Sequence, residues 1–222
     1  MQIVTLASQK GGAGKSTFAV NLAVLANQEG APALLIDTDP QASLSVWRHL
    51  RRSSRPMLVS CGADKLDNIV SIARRNGRVE WVFIDGPPHN DQHIAAMMRV
   101  ADLVVVPARP AVFDLAAAAN TVDMAQRLQA PFFVALNAVP PKRGIAEAST
   151  VTIARKAIRG MGAPIWRGAI SQRSAYVQSL ASGQAVTEFE PDGVPAQEMR
   201  HLWRDVREAA QAMARRKDMA VA

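Results

Sequence analysis

The chain has 222 residues, enough for one α/β domain that buries its own core without metal or disulfide support. Cys61 is the single cysteine, which excludes a disulfide framework and a cysteine-ligated zinc or iron–sulfur site within one chain. Lysine and arginine outnumber aspartate and glutamate 26 to 19, a net +7 that suits a polyanion such as DNA or an anionic membrane surface, while an aromatic content of 5% leaves little material for stacking on single strands.

The first predicted element is a strand, Gln2 to Ala7, directly after Met1. No basic-then-apolar leader precedes it, and no apolar run reaches the ~20 residues of a membrane span. A cytoplasmic location is therefore expected. Next comes Gln9-Lys10-Gly11-Gly12-Ala13-Gly14-Lys15-Ser16-Thr17, which opens a segment of helical length, Lys15 to Glu29. A glycine-rich turn between a strand and a helix is the context of a P-loop. Glycines at 11, 12 and 14 let the backbone close round phosphate oxygens, with its amides converging at a helix N-terminus. Lys15 would neutralise β/γ-phosphate charge, and the Ser16 hydroxyl suits Mg²⁺, a hard cation that prefers oxygen. Lys10 to Thr17 are thus the expected nucleotide-binding residues.

The apolar strand Ala33 to Ile36 ends in Asp37-Thr38-Asp39-Pro40-Gln41, two acids that an apolar strand would not bury cheaply unless hydrogen-bonded or near a cation. A basic, serine-containing stretch, Arg48 to Arg55, reads as a solvated helix end and loop before a short strand, Met57 to Val59, and a helix, Lys65 to Arg75. The strand Val82 to Ile84 leads into Asp85-Gly86-Pro87-Pro88. Alone this is a buried strand capped by a turn-forming Asp; after a P-loop it is the expected second acid, Asp85, holding Mg²⁺ through water. Leu103 to Val106 precedes Pro107 to Pro110, which reads as a wall for the base or as a plain turn. A helix, Leu115 to Leu128, a strand, Phe132 to Leu136, ending in Asn137, and helices over Thr152 to Met161, Ser174 to Ala181 and Pro195 to Met213 complete the chain. The alternation predicts an α/β fold, a doubly wound, mostly parallel sheet with helices on both faces, in one domain over residues 1–222. Its informative residues all follow strand ends, where such sheets bind ligands.

Gln9 stands where the usual motif has glycine, and a second lysine, Lys10, precedes the glycine pair. With this deviant Walker A pattern the stretch Ala7 to Thr17 resembles the ParA/MinD family of P-loop ATPases, and its ParA branch most closely. The resemblance implies a homodimer in which Lys10 reaches the phosphates bound by the other subunit. It implies that Asp37 to Gln41 form switch I, with Asp39 orienting the attacking water and Asp37 supporting the metal and the switch, the division between the two acids staying open. It also implies that Gly86 and Pro87 sense the γ-phosphate and that the Asn137 amide reads adenine, with Pro107 beside the base. No guanine-reading motif follows that strand, so ATP with Mg²⁺ is the expected ligand pair, and Lys10, Lys15 and Asp39 the expected catalytic set.

From Met199 an apolar stripe, Met199, Leu202, Trp203, Val206, Ala210 and Met213, runs beside a basic one, Arg200, Arg204, Arg207 and Arg215, continued by Arg216 and Lys217. This carboxyl-terminal helix, residues 195–217, is expected to bind duplex DNA through its phosphates; a solvated face is the other reading of the same charges. Ile170 to Val186 resembles small ParA proteins without an amino-terminal operator-binding domain. The resemblance implies a nucleoid-associated switch that partitions or positions a cargo, released when a ParB-like adaptor stimulates hydrolysis. A MinD-like membrane-surface regulator is the alternative, disfavoured by the alanine-rich tail.

Overall fold

The computed structural model describes residues 1–141 and 147–221, with side chains described through Arg215. Six strands form one sheet in the order β3-β2-β4-β1-β5-β6: β1 Gln2–Leu6, β2 Ala33–Asp37, β3 Met57–Ser60, β4 Trp81–Asp85, β5 Leu103–Ala108 and β6 Phe132–Leu136. Every neighbouring pair is parallel. A parallel sheet needs both faces covered, which is why its strands are continuous apolar runs rather than alternating ones.

Helix α1, Lys15–Gln28, lies on one face together with α2, Ser43–Leu50, and the later helices α7, Ser174–Ala181, α8, Val186–Phe189, and α9, Val194–Val221. Phe18 to Ala26 are all buried, because α1 sits between the sheet and a second layer made by α2, α8 and α9. Buried Asn21 is satisfied there, accepting from Val186 N at 2.8 Å and donating to Thr17 O at 2.8 Å. The apolar stripe foreseen on the last helix supplies core: Met199, Leu202, Trp203, Val206 and Ala210 are buried, and Trp203 meets Trp81 edge to face at 4.8 Å. The helix also runs on to Val221, past the expected end at Met213.

On the opposite face lie α3, Ala63–Asn76, α4, Asp91–Val100, α5, Val112–Arg127, and α6, Ser149–Gly160. Helix α4 was not anticipated, although its signals are local: Asn90 caps it by accepting from His93 N at 3.0 Å, and Ile94, Met97 and Met98 form its buried stripe. The strand order puts β1 at the centre, flanked by β4 and β5, so the loop leaving β1 has a strand end on either side of it. That is the topological switch point at which open parallel sheets bind ligands.

Candidate nucleotide site

The loop from Ser8 to Gly14 turns from β1 into α1. Gly12 and Gly14 adopt φ of +73° and +107°, a region that side chains other than glycine enter only under strain. A Cβ on Gly14 would also stand 2.1 Å from Asn137 Nδ2, so that glycine is required twice. Because Gly14 precedes the helix, no side chain caps its first turn, and the first-turn amides stay open to an anion. The loop borders a cavity of about 530 Å³, lined also by Lys15, Ser16, Thr17, Asp39, Pro88, Arg109, Asn137 and Arg173.

Lys15 is 7% exposed. Burial draws its pKa down, and the carboxylates of Asp85 and Asp39 oppose the fall. Asp85, at the end of β4, is 1% exposed and pushed up to about 7, chiefly by burial, against the Ser16 hydroxyl that hydrogen-bonds it and the charge of Lys15. Its Oδ1 has no hydrogen-bond partner among the described residues. A buried carboxylate oxygen without a donor, beside a hydroxyl, fits a site that a hydrated divalent cation would complete.

Asp37 and Asp85 are register partners on β2 and β4, which sets two buried acids side by side. Burial raises the pKa of Asp37, with the amides of Asp39, Leu44 and Ser45 pulling the other way. Its two oxygens accept from Asp39 N and Leu44 N, both at 3.1 Å. Asp39 is half-buried on the cavity wall, with Oδ1 accepting from Gln41 N at 2.9 Å. The structure thus separates the pair that the sequence left open: Asp37 holds the segment entering α2, while Asp39 faces the cavity. Thr38 ties this segment to the end of β4, its amide and hydroxyl donating to Asp85 O at 2.9 and 2.8 Å. Gly86 follows, where a Cβ would come within 2.2 Å of Met97 Sδ.

Asn137 donates to Ala13 O at 2.7 Å, tying the end of β6 to the P-loop, and retains one further N–H and its oxygen. Lys10 lies at the rim. Its carbonyl is 3.4 Å from Lys15 Nζ, and its own Nζ pairs at 2.9 Å with Asp114 in the first turn of α5. Pro107 is buried within β5 opposite Ala135, beyond the last residue that β5 pairs with β1, and is not among the residues that line this cavity. Within the span read as a wall for the base or a plain turn, Arg109, directly after the strand end, is the residue on the cavity wall.

The basic stripe of α9 is locally tied, with Arg200 and Arg204 exposed and Arg207 half-buried. Arg200 donates to Pro191 O at 2.8 Å, Arg204 pairs with Asp205 at 3.0 Å, and Arg207 pairs with Glu29. Arg215 is exposed, whereas the side chains of Arg216 and Lys217 lie outside the described residues. Among the described residues no helix is long and apolar enough to cross a membrane, and no group of three or more His, Cys, Asp or Glu forms a metal cluster.

The chain is 31% identical over 191 residues to the maintenance of carboxysome distribution protein A of Gloeobacter kilaueensis, covering 85% of each chain. It is 27% identical over 198 residues to the protein of that name from Halothiobacillus neapolitanus, covering 84% of this chain and 87% of the relative. Among solved structures, apo McdA of Cyanothece superposes with a TM-score of 0.73 at 20% identity, over 94% of this chain and 99% of its own. A chain of the MinC:MinD cell division protein complex of Aquifex aeolicus gives 0.77 at 17% identity, over 94% of this chain and 96% of its own. At these identities the superpositions speak for the fold. The model of the CobQ/CobB/MinD/ParA nucleotide-binding domain matches residues 4–186, from the first strand through the P-loop and all six strand ends to the start of α8. A match over so much of the chain makes this protein a member of the CobQ/CobB/MinD/ParA nucleotide-binding family.

Proposed function

We propose that this chain hydrolyses ATP with Mg²⁺, dimerises around the nucleotide, binds duplex DNA without sequence preference in that state, and positions a cargo on the nucleoid until an adaptor stimulates hydrolysis. The observation that carries the proposal is the placement of two lysines on one loop. Lys15 is buried at its own cavity, whereas Lys10 stands on the rim with its ammonium directed away from that cavity. A second copy facing the rim would give Lys10 a phosphate that its own chain cannot offer.

Within one site, the amides of Gly11 to Ser16 and the Lys15 ammonium hold phosphate oxygens, and Asn137 orients the base. The Ser16 hydroxyl and, through water, Asp85 would hold Mg²⁺, which supplies charge neutralisation at the phosphate oxygens. Asp39 is the carboxylate on the cavity wall that can position a water for in-line attack. Asp37 keeps Asp39 in place by anchoring the turn on both sides of it. Arg204 and Arg207 of α9 sit in ion pairs of little stability and Arg200 on a loop carbonyl, so phosphate can replace those partners. The apolar stripe that membrane insertion would require is already buried against the sheet. Relatives named for carboxysome distribution make a protein microcompartment the cargo to test, beside the DNA implied by relatives named for chromosome partition.

Light scattering tests the core of this. Asp39→Ala saturated with Mg²⁺ and ATP is expected to be dimeric, and the same variant with Lys10→Ala monomeric. A fluorescent duplex should bind only with ATP, with affinity falling steeply with salt and lost on Arg204→Glu with Arg207→Glu. A monomer at saturating ATP refutes the switch, and binding to anionic vesicles but not to duplex refutes the DNA step.

A further inference from the structure

The sheet ends at β3. That strand pairs only with β2, and no backbone hydrogen bond reaches its other edge among the described residues. Cys61 N donates inward to Asp37 O, so the period of two along a strand leaves the N–H and C=O of Leu58 and Ser60 pointing outward. Beside this open edge Met57, Val59 and Ile72 are 44%, 37% and 48% exposed, and with Leu34, Ile69 and Val79 they line an apolar groove of about 550 Å³ between β3 and α3. Unpaired strand edges and exposed apolar side chains are each a liability for a soluble chain; together they describe a receptor for an extended peptide.

Charge decides what the occupant is. Arg48, Arg52 and Arg55 lie in the segment entering β3, and Arg74, Arg75 and Arg78 in the segment leaving α3, with no acid in residues 48–60 or 68–79. In a parallel sheet both segments arrive at the amino ends of the strands, the pole opposite the nucleotide cavity. Arg48 and Ser54 line the groove at that end. Pairing with β3 of a second copy would crowd two such clusters round a four-residue ladder, which disfavours self-association. Duplex DNA would satisfy the arginines but leave the strand edge and apolar groove unused.

We propose that the β3 edge takes an extended segment of a partner protein as a seventh strand, with apolar side chains of that segment in the groove and acidic ones on the arginines. The groove shares no lining residue with the nucleotide cavity, so a partner seated there can ride on the chain through the ATP cycle.

The probe is a fluorescent, end-capped peptide of alternating aspartate and valine, with a lysine-for-aspartate peptide and a duplex DNA as comparisons, all against the full chain. Ser60→Pro removes an outward N–H while leaving the inward ladder intact, a position where edge strands tolerate proline. Arg48→Glu with Arg55→Glu reverses the charge. The acidic peptide should bind at least about tenfold more tightly than the lysine peptide and lose about tenfold or more in either variant, with ATP turnover unchanged in the arginine variant. Amide exchange of the wild-type chain should slow at Leu58 and Ser60 on binding, which gives a readout even if a variant misfolds. Absence of binding, equal binding of the lysine peptide, protection by DNA at those amides, or self-association abolished by Ser60→Pro would each overturn the proposal.

Discussion

Replacing Asp85 by asparagine should stabilise the nucleotide-free protein at alkaline pH while destroying its turnover. In the folded chain this carboxyl is pushed from its ordinary 3.8 to about 7, mainly by burial. Below about pH 4 both folded and unfolded chains hold the proton and there is no penalty. Between that value and about 7 the unfolded chain releases the proton and the folded chain keeps it, so stability falls as pH rises. Above about 7 the whole penalty persists: three pH units at about 1.4 kcal/mol each, or about 4 kcal/mol as an upper bound. Local relaxation and water entry reduce what is recovered to about 1–3 kcal/mol, or about 3–10 °C in Tm for a chain of this size. Asparagine is neutral throughout, so its advantage over the parent should be full at pH 8 and about a third of that near pH 5. Thermal unfolding of both proteins in a chelator at the two pH values measures this, the other titrating groups cancelling in the difference. A variant less stable than the parent at pH 8, or an advantage equal at both pH values, would refute the assignment of Asp85 as an ionised group held at a stability cost. Turnover by the same variant should fall by about a hundredfold or more through loss of the carboxylate proposed to hold Mg²⁺ through water.

Calorimetry in buffers of different ionisation enthalpy should show that Mg-nucleotide binding releases a proton near pH 6, as Asp85 ionises, and none near pH 8. Gly14→Ala should abolish nucleotide binding, because the new Cβ meets Asn137 and the residue cannot hold φ +107° without strain; retained affinity would show that the loop refolds round it. Asp114→Asn should free Lys10 from its ion pair and lower the ATP concentration needed for dimerisation about two- to fivefold, the range for a partly exposed salt bridge; a higher requirement would mean that Asp114 presents Lys10 rather than restrains it. Trp203→Ala should cost about 3–5 kcal/mol in unfolding free energy by opening a cavity beneath α9, and a small loss would show that the stripe is peripheral.

Much of the nucleotide site was legible in one dimension because its signals are local. The spacing of Gly11, Gly12 and Gly14 before Lys15 specifies a turn with positive φ leading into a helix, and the strands announce themselves as short apolar runs that both faces of the sheet bury. The predicted strands Phe132 to Leu136 and Met57 to Val59 are recovered at or within a residue of their expected bounds, as is the helix Ser174 to Ala181. Even the buried stripe of α9 follows from helical spacing, though a stripe cannot say which surface will cover it.

What the sequence could not decide is what depends on residues meeting across the chain. Asp37 and Asp39 are chemically alike and two positions apart; only the fold gives one to the amides of α2 and the other to the cavity. Lys10 finds Asp114 more than a hundred positions away, and Asn137 finds Ala13, because β1, β5 and β6 are neighbours in the sheet. Whether Pro107 belongs to the turn or to the strand is decided by the register with β6, which places it inside β5. The open edge of β3 has no sequence signature, since which strand ends a sheet is set by the order of crossovers. Local propensity and spacing determined the elements and the phosphate loop; the partners of each charge, and the surfaces left uncovered, were decided by how those elements packed.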